Sequence, residues 1–304
     1  MPDFSFLENP LTKQWIVSAP RRAKRPNVAD GFIPACPFCP AQIDKEESVY
    51  EVTERTGSQA PKEKSPGDSP WSIKVIKNKF PFAPIHEVII LSPHHTQNFD
   101  RLPHTQVELV FQTYRQRFQT HEAQGNVYIF HNHGQKGGES LPHPHTQLAV
   151  IPSHVTPQIP PLADPCVLPM SELQETDHFL LSCPRTSQWP DEVWVSPKKQ
   201  GKAFGDLSND ELSDLSFVVS RLVRIFKLRH GDDYPYNFYI APFEDWYLRL
   251  IPRHKTLGGF EIGTGIFVNT QDPLETISFI KEHFMTPDED KIRREHQAQY
   301  HHTA

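Results

Sequence analysis

The chain has 304 residues, with 31 basic against 37 acidic side chains, a formal charge of −6, 30 prolines and 4 cysteines. No basic face is advertised, which argues against nucleic acid as a partner. Four cysteines do not make a disulfide scaffold, and no apolar run approaches the length of a membrane span.

From the N-terminus, Met1 to Phe6 lacks the charged and apolar regions of a secretory signal, so the expected compartment is the cytoplasm. Asn9-Pro10-Leu11-Thr12 predicts a turn, and Trp15 to Val17 a short strand. Arg21, Arg22, Lys24 and Arg25 then concentrate positive charge between Pro20 and Pro26. Such a run fits a solvated loop, or a phosphate clamp, because guanidinium forks match phosphate oxygens. Cys36-Pro37-Phe38-Cys39-Pro40 is a tight knuckle that suits half of a tetrahedral metal site. Glu51 to Pro70 is polar and rich in Pro, Ser and Gly, predicting a mobile surface loop.

Strands are expected at Trp71–Ile76 and Glu87–Leu91, the second ending at Ser92-Pro93-His94-His95. Val107, Val110, Phe111, Tyr114 and Phe118 recur at helical spacing, and Val127–Phe130 returns as a strand. Asn132 to Ser140 follows, a glycine-rich loop whose backbone N–H groups could wrap a phosphate. Next comes Leu141 to Pro152, containing His143-Pro144-His145-Thr146-Gln147. Strand alternation would stand His143, His145 and Gln147 along one face, with Leu148, Val150 and Ile151 as a buried anchor. A lone histidine there would fit a structural edge strand. A His-x-His pair behind a phosphate-sized loop points instead to phosphoryl or nucleotidyl transfer.

Ser153 to Pro165 is Pro-rich and reads as a connection, beyond which the pattern repeats. Cys166 and Pro169 stand where a second knuckle would fall, and Glu192–Pro197 echoes Glu87–Pro93. Ser208 and Glu211 make a capping box for a helix carrying Leu212, Leu215, Val219, Leu222 and Phe226, ended by Gly231. Two more strands follow at Tyr236–Ile240 and Trp246–Pro252, the latter echoing Leu148–Pro152. The expected fold is α+β: two tandem units whose strands join one mainly antiparallel sheet, with helices packed on it. The expected division is 1–152, a linker at 153–165, 166–286, and a polar tail at 287–304 whose His296, His301 and His302 form no metal site.

Asn9-Pro10-Leu11-Thr12 with Trp15, Arg22 to Pro26, Cys36-x-x-Cys39, Asn78-x-Phe80, Ser92-Pro93-x-His95 and His143-Pro-His145-x-Gln147 occur in this order. Together with the run Gly258 to Gly265, they resemble the galactose-1-phosphate uridylyltransferase family, the transferase branch of the histidine-triad superfamily. ADP-glucose phosphorylases share many of these motifs. The resemblance implies two histidine-triad-like halves and a two-step exchange through a covalent nucleotidyl-histidine at His145. It implies that Gln147 holds a phosphoryl oxygen, that Asn132 and Ser140 contact the phosphates, and that Arg22, Arg25 and Asn78 serve the nucleotide. Glu261 matches a residue that meets hexose hydroxyls. Cys36, Cys39, His95 and His143 match a structural zinc set, with His94 a rival to His95. Nucleotide sugar and sugar 1-phosphate are the implied substrates, and a homodimer is implied because relatives build the site across one.

Departures matter as well. Pro169, Gln200 and Tyr247 occupy positions where relatives carry ligands for a metal in the second half, so that site looks dismantled. Phe267 replaces a glutamine that helps bind hexose, which weakens a galactose-specific expectation. The rival expectations are a phosphorylase that uses inorganic phosphate on an ADP-sugar or dinucleotide, and a nucleotide-binding module without turnover.

Overall fold

The computed structural model describes residues 4–24, 35–53, 71–162 and 172–301. A small hairpin leads, β1 (Ser5–Glu8) against β2 (Trp15–Ser18). The body is one ten-stranded sheet, with every pairing between its strands antiparallel. Its strands are β3 (Ser48–Val52), β4 (Ile73–Lys77), β5 (Ile85–Ile90), β6 (Asn126–His133), β7 (His145–Ile151), β8 (Leu173–Glu175), β9 (Phe179–Ser182), β10 (Val193–Pro197), β11 (Tyr236–Ile240) and β12 (Leu248–Pro252).

Their spatial order is β3-β4-β5-β7-β6-β11-β12-β10-β9-β8. From either edge inward, the chain follows the same path: three sequential strands, then a swapped pair. The expected α+β fold, with repeated units sharing one antiparallel sheet, is what the chain adopts.

Strand alternation divides the sheet into two faces. Ile73, Val75, Ile89, Ile129, Leu148, Val150, Phe238 and Leu250 point to one side, where they meet α2 (His104–His121) and α3 (Asn209–His230) in the main core. Helix α3 forms as the capping box predicts, since Ser208 Oγ accepts from Glu211 N and the Glu211 carboxylate accepts from Ser208 N. The other face carries His86, His145, Gln147, Phe130, Asn132 and Asn237, so chemistry and core sit on opposite sides of the same strands.

Several expectations change. Pro144 has no N–H for the ladder, so β7 begins at His145, and His143 lies ahead of the strand rather than beside it on one face. Ile151, the last residue of β7, is only half-buried. Glu51 and Val52 belong to β3 instead of a surface loop, while residues 54–70 lie outside the described residues, as do Arg25, Cys166, Pro169 and His302. The final strand starts at Leu248, since Trp246 and Tyr247 form its approach. The tail holds helix α6 (Glu289–His301): Asp288 Oδ1 accepts from Lys291 N at 2.9 Å, Glu289 pairs with Arg224, and Ile292 is 1% exposed. Acidic residues at that N-terminus favour the helix.

The segment 153–162 also does more than connect. Ile159 and Leu162 pack on Trp194 and Tyr247, and the Tyr247 hydroxyl donates to Pro160 O at 2.5 Å. Trp194 and Tyr247 stack with centroids 4.4 Å apart, and beside them Arg249 is buried against Glu192 at 2.7 Å. This face of the second half is therefore filled by its own side chains.

Candidate active site

Four segments converge at the start of β7. The knuckle Cys36–Cys39 closes through Cys39 N donating to Cys36 O at 3.2 Å, and α1 (Pro40–Ile43) starts directly after it. After β5, Ser92 Oγ accepts from His94 N at 3.2 Å in a tight turn that delivers His95, not His94, to the knuckle. His95 Nδ1 lies 3.3 Å and His143 Nδ1 3.7 Å from Cys39 Sγ. Ligand atoms of Cys36, Cys39, His95 and His143 all lie within 4.8 Å of one another, and among the described residues this is the one such cluster.

The donor set fits a soft divalent cation: two sulfurs and two imidazole nitrogens with tetrahedral potential. His143 Nε2 lies 2.9 Å from Ser92 O, which places the proton on Nε2 and leaves Nδ1 as ligand. Burial, and then Cys36 beside it, raise the Cys39 thiol to about 11. A cation there must displace the thiol proton.

His145 is 4% exposed and stands at the head of β7, opposite Ile90. Its Nδ1 donates to the carbonyl of His143 at 2.9 Å, so the ring's lone pair is on Nε2. The same short segment therefore gives the cluster an imidazole and orients the candidate nucleophile. Phe38 packs edge-on against His145 at 5.1 Å and His143 at 6.3 Å. Beside His145 opens a cavity of about 290 Å³, walled by Phe38, Ile43, Ile76, Val88 and Leu141. Asn78 and Ser140 add polar atoms to its lining, and the Lys79–Glu46 ion pair, 2.6 Å long, lies at its edge. An apolar slot with few polar groups beside an oriented imidazole suits a flat base next to a reacting phosphate.

Gln147 lies between Val88 and Phe130 in register. Its Oε1 is 3.0 Å from His86 Nε2 and 3.3 Å from Asn78 Nδ2. Behind it, on the core side, the Tyr114 hydroxyl donates to Thr146 Oγ1 at 2.5 Å, and Thr146 Oγ1 is 3.1 Å from His131 Nδ1. Burial holds His131 well below the usual histidine range, so it is neutral.

The glycine loop differs from a phosphate wrap. Gly134 N is occupied by Glu139 Oε2 at 2.7 Å, and the N–H groups of Gly137, Gly138 and Glu139 bond within the loop. Gly134, at φ 73°, faces Pro235, where an added Cβ would meet another carbon at 2.9 Å. Internal closure thus uses the donors expected for phosphate, and Ser140 and Leu141 are the loop residues that reach the cavity.

The other expected residues divide. Arg22 Nη1 donates to Phe80 O at 2.6 Å and its guanidinium lies 4.8 Å over the Phe82 ring, so it braces the cavity-lining segment Asn78–Phe80. Asn132 Oδ1 accepts from Asn237 Nδ2 at 2.7 Å across the join between the repeated units. Glu261 caps its own short helix α4 (Gly259–Thr264), accepting from Gly258 N at 3.0 Å and Lys255 Nζ at 2.9 Å. It does not line the cavity beside His145. Sequence reasoning missed His86, Phe38, Thr146 and His131. His86 was the findable one, since it shares strand parity with Val88, the neighbour of Gln147.

Residues 83–151 match the family model for the N-terminal domain of galactose-1-phosphate uridyl transferase. The chain is 24% identical to an ADP-glucose phosphorylase of Arabidopsis thaliana over 92% of this chain and 93% of that one. It is likewise 24% identical to a galactose-1-phosphate uridylyltransferase of Thermotoga maritima, over 90% and 96%. Among solved structures, the fold matches the Arabidopsis ADP-glucose phosphorylase with bound ADP-glucose at a TM-score of 0.67, covering 92% of this chain and 99% of that one at 22% identity. A uridylyltransferase structure matches at 0.68, covering 91% and 97% at 20% identity.

Proposed function

We propose that this protein is a nucleotidyltransferase that exchanges a nucleotidyl group between a nucleotide sugar and a sugar 1-phosphate through a covalent bond to His145. The observation that carries this is the 2.9 Å hydrogen bond from His145 Nδ1 to the His143 carbonyl, at the end of an apolar cavity. It turns the lone pair of Nε2 into the attacking pair and stabilises the positive charge that forms on the ring during attack. In the first step, Nε2 bonds to the α-phosphorus while the bond to the sugar 1-phosphate breaks. In the second, an oxygen of the incoming sugar 1-phosphate bonds to phosphorus, and the electron pair returns to Nε2.

Phe38, Ile76, Val88 and Leu141 would hold the base with Asn78 beside it, and Ser140 and Gln147, the latter bonded to Asn78, would meet the phosphates. Arg22 would act through Phe80 and Phe82, Arg25 remains a candidate on the nucleotide side, and Asn132 one at the phosphates. Cys36, Cys39, His95 and His143 would hold one zinc. A closed set of four protein ligands supplies bracing of the segment around His145, without an open position for water. Glu261, apart from the cavity in its own chain, would meet the hexose of a partner copy in a homodimer. Free thiols at the metal cluster fit a cytoplasmic enzyme, and among the described residues no helix is long and apolar enough to cross a membrane.

A second reading, a phosphorylase using inorganic phosphate on an ADP-sugar, uses the same covalent step. Phe267 favours it: the ring packs edge-on against Trp189 at 6.1 Å, where the resemblance expects an amide for hexose.

The test uses UDP-glucose and ADP-glucose labelled at the α-phosphorus. Acid-labile label should appear on the wild-type protein and vanish in His145→Ala. Labelling or ping-pong exchange that survives in that variant would refute the assignment.

A further inference from the structure

We propose that His86 is a positioning residue that locks the Gln147 amide with its amino branch toward the ligand, and so favours transfer over hydrolysis. The inference rests on the covalent His145 reading, but its geometry stands apart from it.

Two backbone N–H groups decide the polarity of the network. The N–H of Phe82 donates to His86 Nδ1 at 3.3 Å. Nδ1 must therefore be the acceptor, and in a neutral imidazole the proton sits on Nε2. That proton is 3.0 Å by heavy atom from Gln147 Oε1 and donates to it. Independently, the N–H of Phe80 donates to Asn78 Oδ1 at 2.9 Å, which turns Asn78 Nδ2 toward the same Gln147 Oε1 at 3.3 Å. Asn78 Nδ2 also approaches His86 Nε2 at 3.2 Å; with the proton on Nε2 this is a contact between two donors that share Gln147 Oε1, not a further hydrogen bond. Were the Gln147 amide reversed, its amino group would face two donors at once. With the proton on His86 Nε2, the orientation that turns Oε1 toward His86 and Asn78 is the one that serves both donors.

With Oε1 held by His86 and Asn78, the amino branch is the one left for a phosphoryl oxygen. A donor there stabilises the negative oxygens of the reacting phosphorus. It also withholds a carbonyl lone pair from any water approaching a nucleotidyl-His145. Hydrolysis would form a water-oxygen bond to phosphorus, break the P–Nε2 bond with its electron pair returning to Nε2, and release a proton to solvent. Transfer makes the same exchange with a phosphate oxygen that brings no such proton. An amide oxygen facing the site would orient the water; an amino group does not. The site thus favours transfer through the direction of one amide, set by the chain at Phe80 and Phe82.

Two measurements test this. Long-range proton–nitrogen correlation on nitrogen-15-labelled protein, assigned by the loss of one imidazole in His86→Leu, reads the tautomer directly. The proton should be on Nε2 of His86, and a proton on Nδ1 would overturn the lock whether or not the protein takes label. The second measurement divides the fate of labelled protein between free nucleoside monophosphate and transfer to glucose 1-phosphate. His86→Leu should raise the hydrolysis-to-transfer ratio about tenfold with little change in KM for the nucleotide sugar. His86→Gln, whose amide can again donate to Oε1, should restore the wild-type ratio. A merely structural role would lower both fates together, and an equal loss in His86→Leu would overturn the proposal. Absence of label on the wild type would instead count against the covalent reading and leave the tautomer result to decide the lock.

Discussion

Thr146 offers a direct test of how the strand bearing His145 and Gln147 is held. Its side chain points into the core, where Oγ1 accepts from the Tyr114 hydroxyl at 2.5 Å and lies 3.1 Å from His131 Nδ1. The neutral His131 ring lies between two hydroxyls, with Nδ1 3.1 Å from Thr146 Oγ1 and Nε2 3.4 Å from the Tyr236 hydroxyl. Thr146→Val preserves shape but leaves the buried Tyr114 hydroxyl without its acceptor and takes one hydrogen bond from His131. The orphaned donor costs about 1–3 kcal/mol and the lost His131 bond about 1 kcal/mol, so the variant should lose about 2–4 kcal/mol. Tyr114→Phe removes that donor while Thr146 keeps its bond to His131, so its cost should be nearer 1 kcal/mol. Combining the two should cost less than their sum, because the second change removes a group the first had orphaned. Equilibrium urea denaturation of the three variants at neutral pH measures this. A Thr146→Val cost below about 1 kcal/mol, or a larger cost for Tyr114→Phe, would refute the relay.

Three further outcomes are expected. Elemental analysis of protein purified without chelator should give one zinc per chain, and Cys36→Ser should lose both metal and thermal stability; two equivalents, or none, would contradict the single closed site. Burial raises Glu139 from 4.5 to about 7 against the opposing Gly134 N–H. Because the folded carboxyl holds its proton more tightly, its contribution is fully present below pH 4.5 and is lost as pH rises through about 7. Glu139→Gln should therefore be more stable than wild type at pH 8 by roughly 3 kcal/mol, and an unchanged pH–stability profile would show that Glu139 ionises normally. Finally, with Phe267 in place of an amide, kcat/KM for glucose 1-phosphate or phosphate should fall within about 100-fold of that for galactose 1-phosphate; stronger galactose preference would restore a specific hexose pocket.

What sequence alone determined were the features written in short-range patterns. Alternation at Trp71–Ile76, Glu87–Leu91 and Leu148–Val150 marked strands because side chains change face at every residue. Helical spacing from Val107 to Phe118 and the Ser208–Glu211 box marked α2 and α3 for the same local reason. Cys36-x-x-Cys39 and His143-x-His145 were legible as chemistry, and the structure brings Cys36, Cys39, His95 and His143 together as expected. Pro144 hid the point where the strand begins, and polar composition hid α6, whose stability draws on Arg224 and on burial of Ile292. Only the tertiary structure could decide the direction of the Gln147 amide. His86 and Asn78 lie 61 and 69 residues away in sequence, and the deciding donors are backbone N–H groups that every non-proline residue carries. Likewise, the glycine loop's composition promised donors for phosphate, but the Glu139 carboxylate and the loop's own carbonyls take them. Periodicity is a property of neighbouring residues and survives in one dimension, whereas the partner of a hydrogen bond is chosen by where the fold brings distant groups.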